Sequence, residues 1–254
     1  MLNQKEDLVY DLIKDDEVLV KIGALARLHY PLNDLDHGWN THIHNVIETA
    51  LDIVKLEHPD LDVRQLVVAC MYHDSALMSM GRVDHEIYSS YIVERELHKM
   101  LSPEAVENIT TAIIDHRDSK KYVRKVAYGT PWRNIYSDYL ATADRSSPHR
   151  LSTIMLFEKA IAHTIHQHTG EHLNDHLIHV VASTALQHIQ EKYVEHTDLL
   201  PPTYSKVYKN ALDLHKATIK GIDILTVEEM VRDFVEDGMI DKFHYGKQGE
   251  RLDV

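Results

Sequence analysis

The stretch Val67-Val68-Ala69-Cys70-Met71-Tyr72 is apolar on every side and runs directly into an adjacent histidine and aspartate, His73-Asp74. A segment that is apolar all round has no face to offer water, so the rest of the chain must wrap it. It therefore carries an imidazole and a carboxylate into surroundings where leaving them without partners costs several kcal/mol. A divalent cation is the simplest partner, because both groups ligate first-row metals and neighbouring positions at a helix end can reach one ion. A His-Asp pair by itself is more often an inert core pair, so the choice depends on what else the chain brings to it.

What wraps the run should be helices. The chain has only 9 Gly and 7 Pro in 254 residues, too few for a turn-rich all-β fold. Leu8, Leu12, Val18, Ile22 and Leu25 predict one packing helix over Glu6 to Arg27, closed by Pro31. After a polar loop from Asp34, a helix capped by Asn40 or Thr41 carries Ile43, Val46, Ile47, Ala50, Leu51 and Val54 as a core-facing stripe. His42 and His44 lie on the two opposite edges of that stripe, and spacing does not choose between them. The buried run opens after Asp62, and Met78 to Arg82 reads as a loop containing Gly81.

Asp84 predicts the cap of a helix from His85 to Leu101. Ser102-Pro103 opens another, with Val106, Ile109, Ile113 and Ile114 inward, which ends at Asp115-His116-Arg117-Asp118. A loop over 119–133 gathers Lys120, Lys121, Arg124 and Lys125. Such a run is either solvated charge or a basic loop over an anionic substrate. A helix from Asn134 then sets Asp144 behind Ala141-Thr142-Ala143, small residues that allow close backbone approach and turn the carboxylate inward. Residues 1–148 read as a helical metal-binding core. Residues 149–254 read as further helices covering it within the same compact domain, punctuated by Gly170, Pro201-Pro202 and Gly221.

Composition narrows the partners. A net charge of −13 argues against polymeric nucleic acid and anionic membrane surfaces, and leaves room for a small anion at a local basic patch or a metal. One cysteine, Cys70, excludes an internal disulfide and fits a reducing compartment. With no span of about 20 apolar residues and no apolar centre in the first residues, the expected location is the cytoplasm. The 20 histidines make metal coordination a question at each cluster. His172, His176 and His179, like His163 and His166, share helix faces among polar neighbours and read as solvated. Oligomeric state leaves no trace in the sequence.

Taken together, His42 or His44, His73-Asp74 and Asp144 supply two imidazoles and two carboxylates from three helices. That set suits an octahedral Mn, Mg, Fe, Co or Ni ion with positions open to water and substrate. Three segments, Thr41-His42-Ile43-His44-Asn45-Val46, Val68 to Asp74 and Ala141-Thr142-Ala143-Asp144-Arg145, resemble the HD-domain superfamily of metal-dependent phosphohydrolases. The resemblance covers about residues 37–147. It favours His42, which has Val46 four residues on, although Asn45 stands where the family usually has arginine.

The resemblance implies an all-α, HD-type helical bundle with additional C-terminal helices, and a metal, Mn or Mg first and Fe, Co, Ni or Zn otherwise, on His42, His73, Asp74 and Asp144. His85 and His116 resemble family positions that bind a second metal or face phosphates, although Tyr88-Ser89 stand where many members have Gly-Ala. The implied activity is hydrolysis of a phosphoester or phosphoanhydride bond in a nucleoside triphosphate or monophosphate. A cyclic nucleotide or dinucleotide phosphodiesterase is the alternative within the enzyme class. A non-catalytic nucleotide-sensing module and a di-iron oxygenase using His85 and His116 are the alternatives outside it.

In the hydrolytic reading Asp74 or Glu86 orients the attacking water. Arg82, Lys120, Lys121 and Arg145 surround the charge that a dissociative transition state spreads over the phosphoryl oxygens. Trp39, Tyr122, Tyr128 and Trp132 are aromatics that could shape a base pocket.

Overall fold

The computed structural model of the chain describes residues 7–30, 38–81, 84–117, 121–146, 152–168 and 174–239. Pro31, Asp34, Arg82, Lys120, Pro148, Gly170, His172, the segment from 240 onward and the side chains of Tyr122 and His166 lie outside the described residues. All regular structure among the described residues is helical. None of these helices is long and apolar enough to cross a membrane. The chain divides into two compact units, one within residues 1–147 and one within 148–244.

The first unit is built around the apolar run. It forms α4 (Val63–Tyr72), which starts where the Asp62 carboxylate accepts the Arg64 N–H, and every residue from Leu66 to Tyr72 is buried. α2 (Glu17–Ala26), α3 (His44–Glu57), α6 (His85–Leu97), α7 (Pro103–Asp115) and α9 (Ile135–Ser146) all pack against it. Gly23 lets α2 approach closely, since a Cβ there would meet Ile13 Cδ1 at 2.8 Å and Met71 Cε at 3.6 Å. α7 opens as expected, with Ser102 Oγ accepting the Ala105 N–H and Pro103 in the first turn. Ile109 and Ile113 are buried in it, whereas Val106 and Ile114 are half-buried.

Several stretches differ from the sequence reading; the helix expected from His85 to Leu101 ends at Leu97, and Asp84, at φ 58°, makes no side-chain cap. The helix expected over Glu6 to Arg27 is two, α1 (Leu8–Ile13) and α2, because Asp16 caps the second by accepting the Val18 and Leu19 N–H groups. The expected loop at Met78 begins with a short helix, α5 (Leu77–Met80), ended by Gly81 at φ 71°, a conformation that glycine adopts without a Cβ penalty. Most consequential, the expected loop over 119–133 contains α8 (Lys121–Tyr128). Its polarity is inverted: Val123 and Val126 are exposed, while Lys121 and Arg124 are buried.

In the second unit α11 (Asp175–Gln190) packs against both α10 (Thr153–Gln167) and α14 (Ile224–Glu236). Between the expected punctuation at Pro201-Pro202 and Gly221 lie two helices, α12 (Pro202–Val207) and α13 (Lys209–Gly221), separated at Tyr208. His215 is fully buried on α13, with Nδ1 at 2.8 Å from Thr153 Oγ1, and burial pushes its pKa down.

Candidate metal centre

Local structure aims each ligand. His73 follows the last residue of α4, and its Nδ1–H donates to the Cys70 carbonyl at 2.8 Å, which fixes the ring and turns Nε2 forward. His116, just past α7, is held the same way by the Ile113 carbonyl at 2.5 Å. Both rings are thus oriented by the chain's own last helical turn, the backbone form of the outer-shell hydrogen bond that metal-ligating histidines usually make. His85 is the first residue of α6, and Asp144 lies near the end of α9.

His42 is presented differently. Residues Trp39–Ile43 form a π turn ahead of α3, with the Ile43 N–H bonded to the Gly38 carbonyl. Short π segments of this kind concentrate at functional sites. Trp39 anchors the turn through its indole N–H to Asp7 at 2.9 Å and its ring against Tyr30. Asn40 does not cap the helix; its side chain accepts the Leu8 N–H.

These elements bring six side chains together. His42, His73 and Asp144 form one group and Asp74, His85 and His116 a second, the ligand atoms within each lying within 4.8 Å of one another. Asp74 links them. Its Oδ2 is 3.4 Å from Nε2 of both His42 and His73, and its Oδ1 is 3.1 Å from His85 Nε2 and 3.6 Å from His116 Nε2. Asp144 Oδ1 lies 3.3 Å from His42 Nε2 and 3.8 Å from His73 Nε2. All six are buried except Asp144, which is half-buried.

The donor set fits a metal ion. His42 Nε2 and His73 Nε2 face each other at 3.1 Å, as do His85 Nε2 and His116 Nε2 at 3.4 Å. Nitrogen lone pairs brought that close repel unless a proton or a cation stands among them. At the first of these pairs a proton can take that place. Burial alone would push the His73 pKa down, but Asp74 and Asp144 outweigh it and hold the imidazole up at about 9. The six groups could therefore hold a metal ion, and at neutral pH an ion entering would displace a proton.

A measurable consequence follows from the sign of this shift. His73 is raised above the ordinary 6.5, so its ion pair stabilises the metal-free fold fully below that pH and is lost as pH rises through about 9. Metal affinity should run the opposite way, rising with pH toward 9. Calorimetric titration of Mn into stripped protein at pH 7, in buffers of different ionisation enthalpy, should show roughly one proton released per ion from this residue.

The other expected site residues fall as follows. His44 is not in the cluster; its half-buried ring turns to its neighbour Asn45. Glu86 is fully buried, 3.0 Å from the Arg117 guanidinium and 3.7 Å from His85 Nδ1, so it lies behind the histidine rather than among the ligand atoms. Arg145 is buried, reaching back toward the Ala141 carbonyl, with its guanidinium 5.9 Å from the centre of the Trp132 ring. Lys121 is buried on α8. Arg82 and Lys120 are outside the described residues. His176 and His179 are exposed, and His179 pairs with Glu228 at 2.7 Å rather than with another histidine.

Sequence reasoning missed the framework behind His116. Asp115, fully buried, accepts from the Arg133 side chain at 2.8 and 2.9 Å, from the Arg133 N–H at 3.0 Å and from Ser137 Oγ at 3.0 Å. Arg124 donates to the carbonyls of Asp115 at 2.7 Å, Arg117 at 2.8 Å and Pro131 at 2.9 Å. One of the four cations expected in that basic loop, Arg124, is thus spent on closing the end of α7, alongside Arg133. No family model, no curated protein and no solved structure matches the chain.

Proposed function

We propose that the chain is a metal-dependent phosphohydrolase acting on a phosphoester or phosphoanhydride bond of a nucleotide, a nucleoside triphosphate or monophosphate. The observation that carries this reading is the buried convergence of His42, His73, Asp74, His85, His116 and Asp144, with one carboxylate shared between two groups. The resemblance of the three ligand-bearing segments to HD-domain phosphohydrolases points the same way.

Mixed imidazole and carboxylate ligation accommodates Mn, or Mg where water fills the remaining positions, and equally Fe, Co, Ni or Zn. An ion held there would polarise a phosphoryl oxygen and lower the pKa of a bound water. The chain's own residues do the rest. The buried rings and α4 exclude bulk water from the reacting centre, which strengthens every charge interaction inside it. Asp74 is the carboxylate placed to orient the nucleophilic water. Glu86 lies behind His85, 3.7 Å from its Nδ1, and acts on that ring's charge while Arg117 neutralises the buried carboxylate. Arg145, the residue after Asp144, would supply cationic surroundings of the kind a phosphoryl group needs.

The deciding assay strips the protein of metal, restores Mn or Mg, and follows orthophosphate and pyrophosphate release from nucleoside triphosphates, monophosphates and cyclic nucleotides. Wild type should hydrolyse at least one class and Asp74→Ala none. Equal rates in the two proteins, or release by neither, would sink the proposal. Nucleotide binding without release would instead mark a sensing module.

A second reading rests on a specific feature: each group is two histidines and one carboxylate, the set also used by non-haem iron oxygenases. Iron in protein purified under argon, with oxygen uptake and no nucleotide hydrolysis, would favour it.

A further inference from the structure

Trp132 is only 8% exposed and its indole N–H has no acceptor. Native proteins rarely leave a buried donor in that state unless a group from outside completes it. Two guanidiniums lie on the same ring, Arg124 at 5.6 Å and Arg145 at 5.9 Å from its centre. Arg124 is committed to the Asp115 and Arg117 carbonyls, which flank His116. Arg145 directly follows Asp144 on α9. The Trp132 ring thus meets one cation tied to the segment that carries His116 and one from the helix that carries Asp144.

A water would satisfy a lone indole N–H. An N–H on a ring that a buried guanidinium approaches to 5.9 Å is better matched by an anionic oxygen, because charge-assisted hydrogen bonds are the stronger ones and Arg is suited to oxyanion geometry. We infer that Trp132 Nε1–H and the Arg145 guanidinium together receive an anionic oxygen of the phosphorylated substrate at the border of the metal centre. The inference rests on the hydrolase reading for the identity of that anion. It makes Trp132 a binding residue rather than a base-stacking platform, since two guanidiniums already lie against its ring.

The chain's two tryptophans provide the test. In uniformly 15N-labelled, Mg-loaded protein, the two indole N–H resonances are followed while inorganic pyrophosphate is added. The Trp132 resonance, identified by its loss in Trp132→Phe, should move downfield and saturate. That of Trp39, already donating to Asp7 at 2.9 Å, should stay in place. Trp132→Phe should weaken pyrophosphate binding about tenfold, and Arg145→Gln by at least as much.

Absence of pyrophosphate binding, saturable binding that leaves the Trp132 resonance unmoved, or wild-type affinity in Trp132→Phe would overturn the inference. Metal-dependent nucleotide hydrolysis alongside a stationary Trp132 resonance removes this site and leaves the hydrolase standing. A moving resonance in a protein that hydrolyses no nucleotide keeps the anion site and removes the hydrolase.

Discussion

Asp74→Asn should empty both halves of the metal centre, whereas Asp144→Asn and His116→Gln should each empty one. The contrast comes from where the two Asp74 oxygens point. Oδ2 faces His42 and His73, and Oδ1 faces His85 and His116, so one carboxylate serves each group. Asparagine keeps the size but replaces an anionic oxygen by an NH2, which donates where a ligand must accept. Loss of an outer-shell partner alone typically lowers metal affinity or activity 10- to 100-fold, so loss of a shared ligand should lower hydrolysis by at least about 100-fold.

Metal content by mass spectrometry after dialysis is the direct check. Asp74→Asn protein that retains as much Mn as wild type would refute the shared-ligand geometry. The substitution also predicts a proton effect in the stripped protein. Without the neighbouring carboxylate, burial regains control of His73 and its pKa should fall from about 9. The C2–H chemical shift of the ring, followed against pH, reads this independently of any activity.

The helical class and the core position of α4 were legible because an unbroken apolar run leaves few alternatives. The ligand-bearing residues were legible in part. His73, Asp74 and Asp144 sit at or near helix ends, where a polar side chain amid apolar neighbours is conspicuous. The choice between His42 and His44 was not, because counting at 100° per residue presumes an α-helix, and the π turn at Trp39–Ile43 inserts a wider turn at that point. Every azimuth upstream of Ile43 is displaced by it. The resemblance favoured the histidine that the structure places in the cluster.

α8 escaped detection for a related reason. Periodicity expects apolar residues inside, and here Lys121 and Arg124 are inside while Val123 and Val126 face water. A signal was present in the three-residue spacing of Lys121 and Arg124, but it reads as helical only once buried partners for cations are known. Those partners, the carbonyls at the end of α7, are fixed by tertiary folding. So is the pairing of Asp115 with Arg133, eighteen positions apart in the chain with a helix between them.

That pairing carries the second large expectation. Asp115→Ala should destabilise the first unit by about 3–5 kcal/mol, because it strips the partner from Arg133 while leaving the arginine side chain partly buried. For a unit of this size the shift is roughly 10 °C or more in melting temperature. Both tryptophans lie in the first unit, so indole fluorescence during urea unfolding reports it separately from the second. Asp115→Asn should fall between wild type and Asp115→Ala, since an amide oxygen can still accept from Arg133 and Ser137 but carries no charge.

The same residue tests whether the framework positions the metal centre. His116 follows Asp115 directly, and its ring is fixed by the last turn of α7, the turn that Asp115 and Arg124 tie to the chain leading into α9. Releasing that tie should loosen His116 before it loosens His42 or His73, which are held by α4 and the π turn. At temperatures where the variant remains folded, any ion held with His85 and His116 should be lost at lower chelator concentration than in wild type. The ion held with His42, His73 and Asp144 should leave at the wild-type concentration. Simultaneous loss of both would mean that the centre behaves as one unit, supported by the fold as a whole rather than by α7.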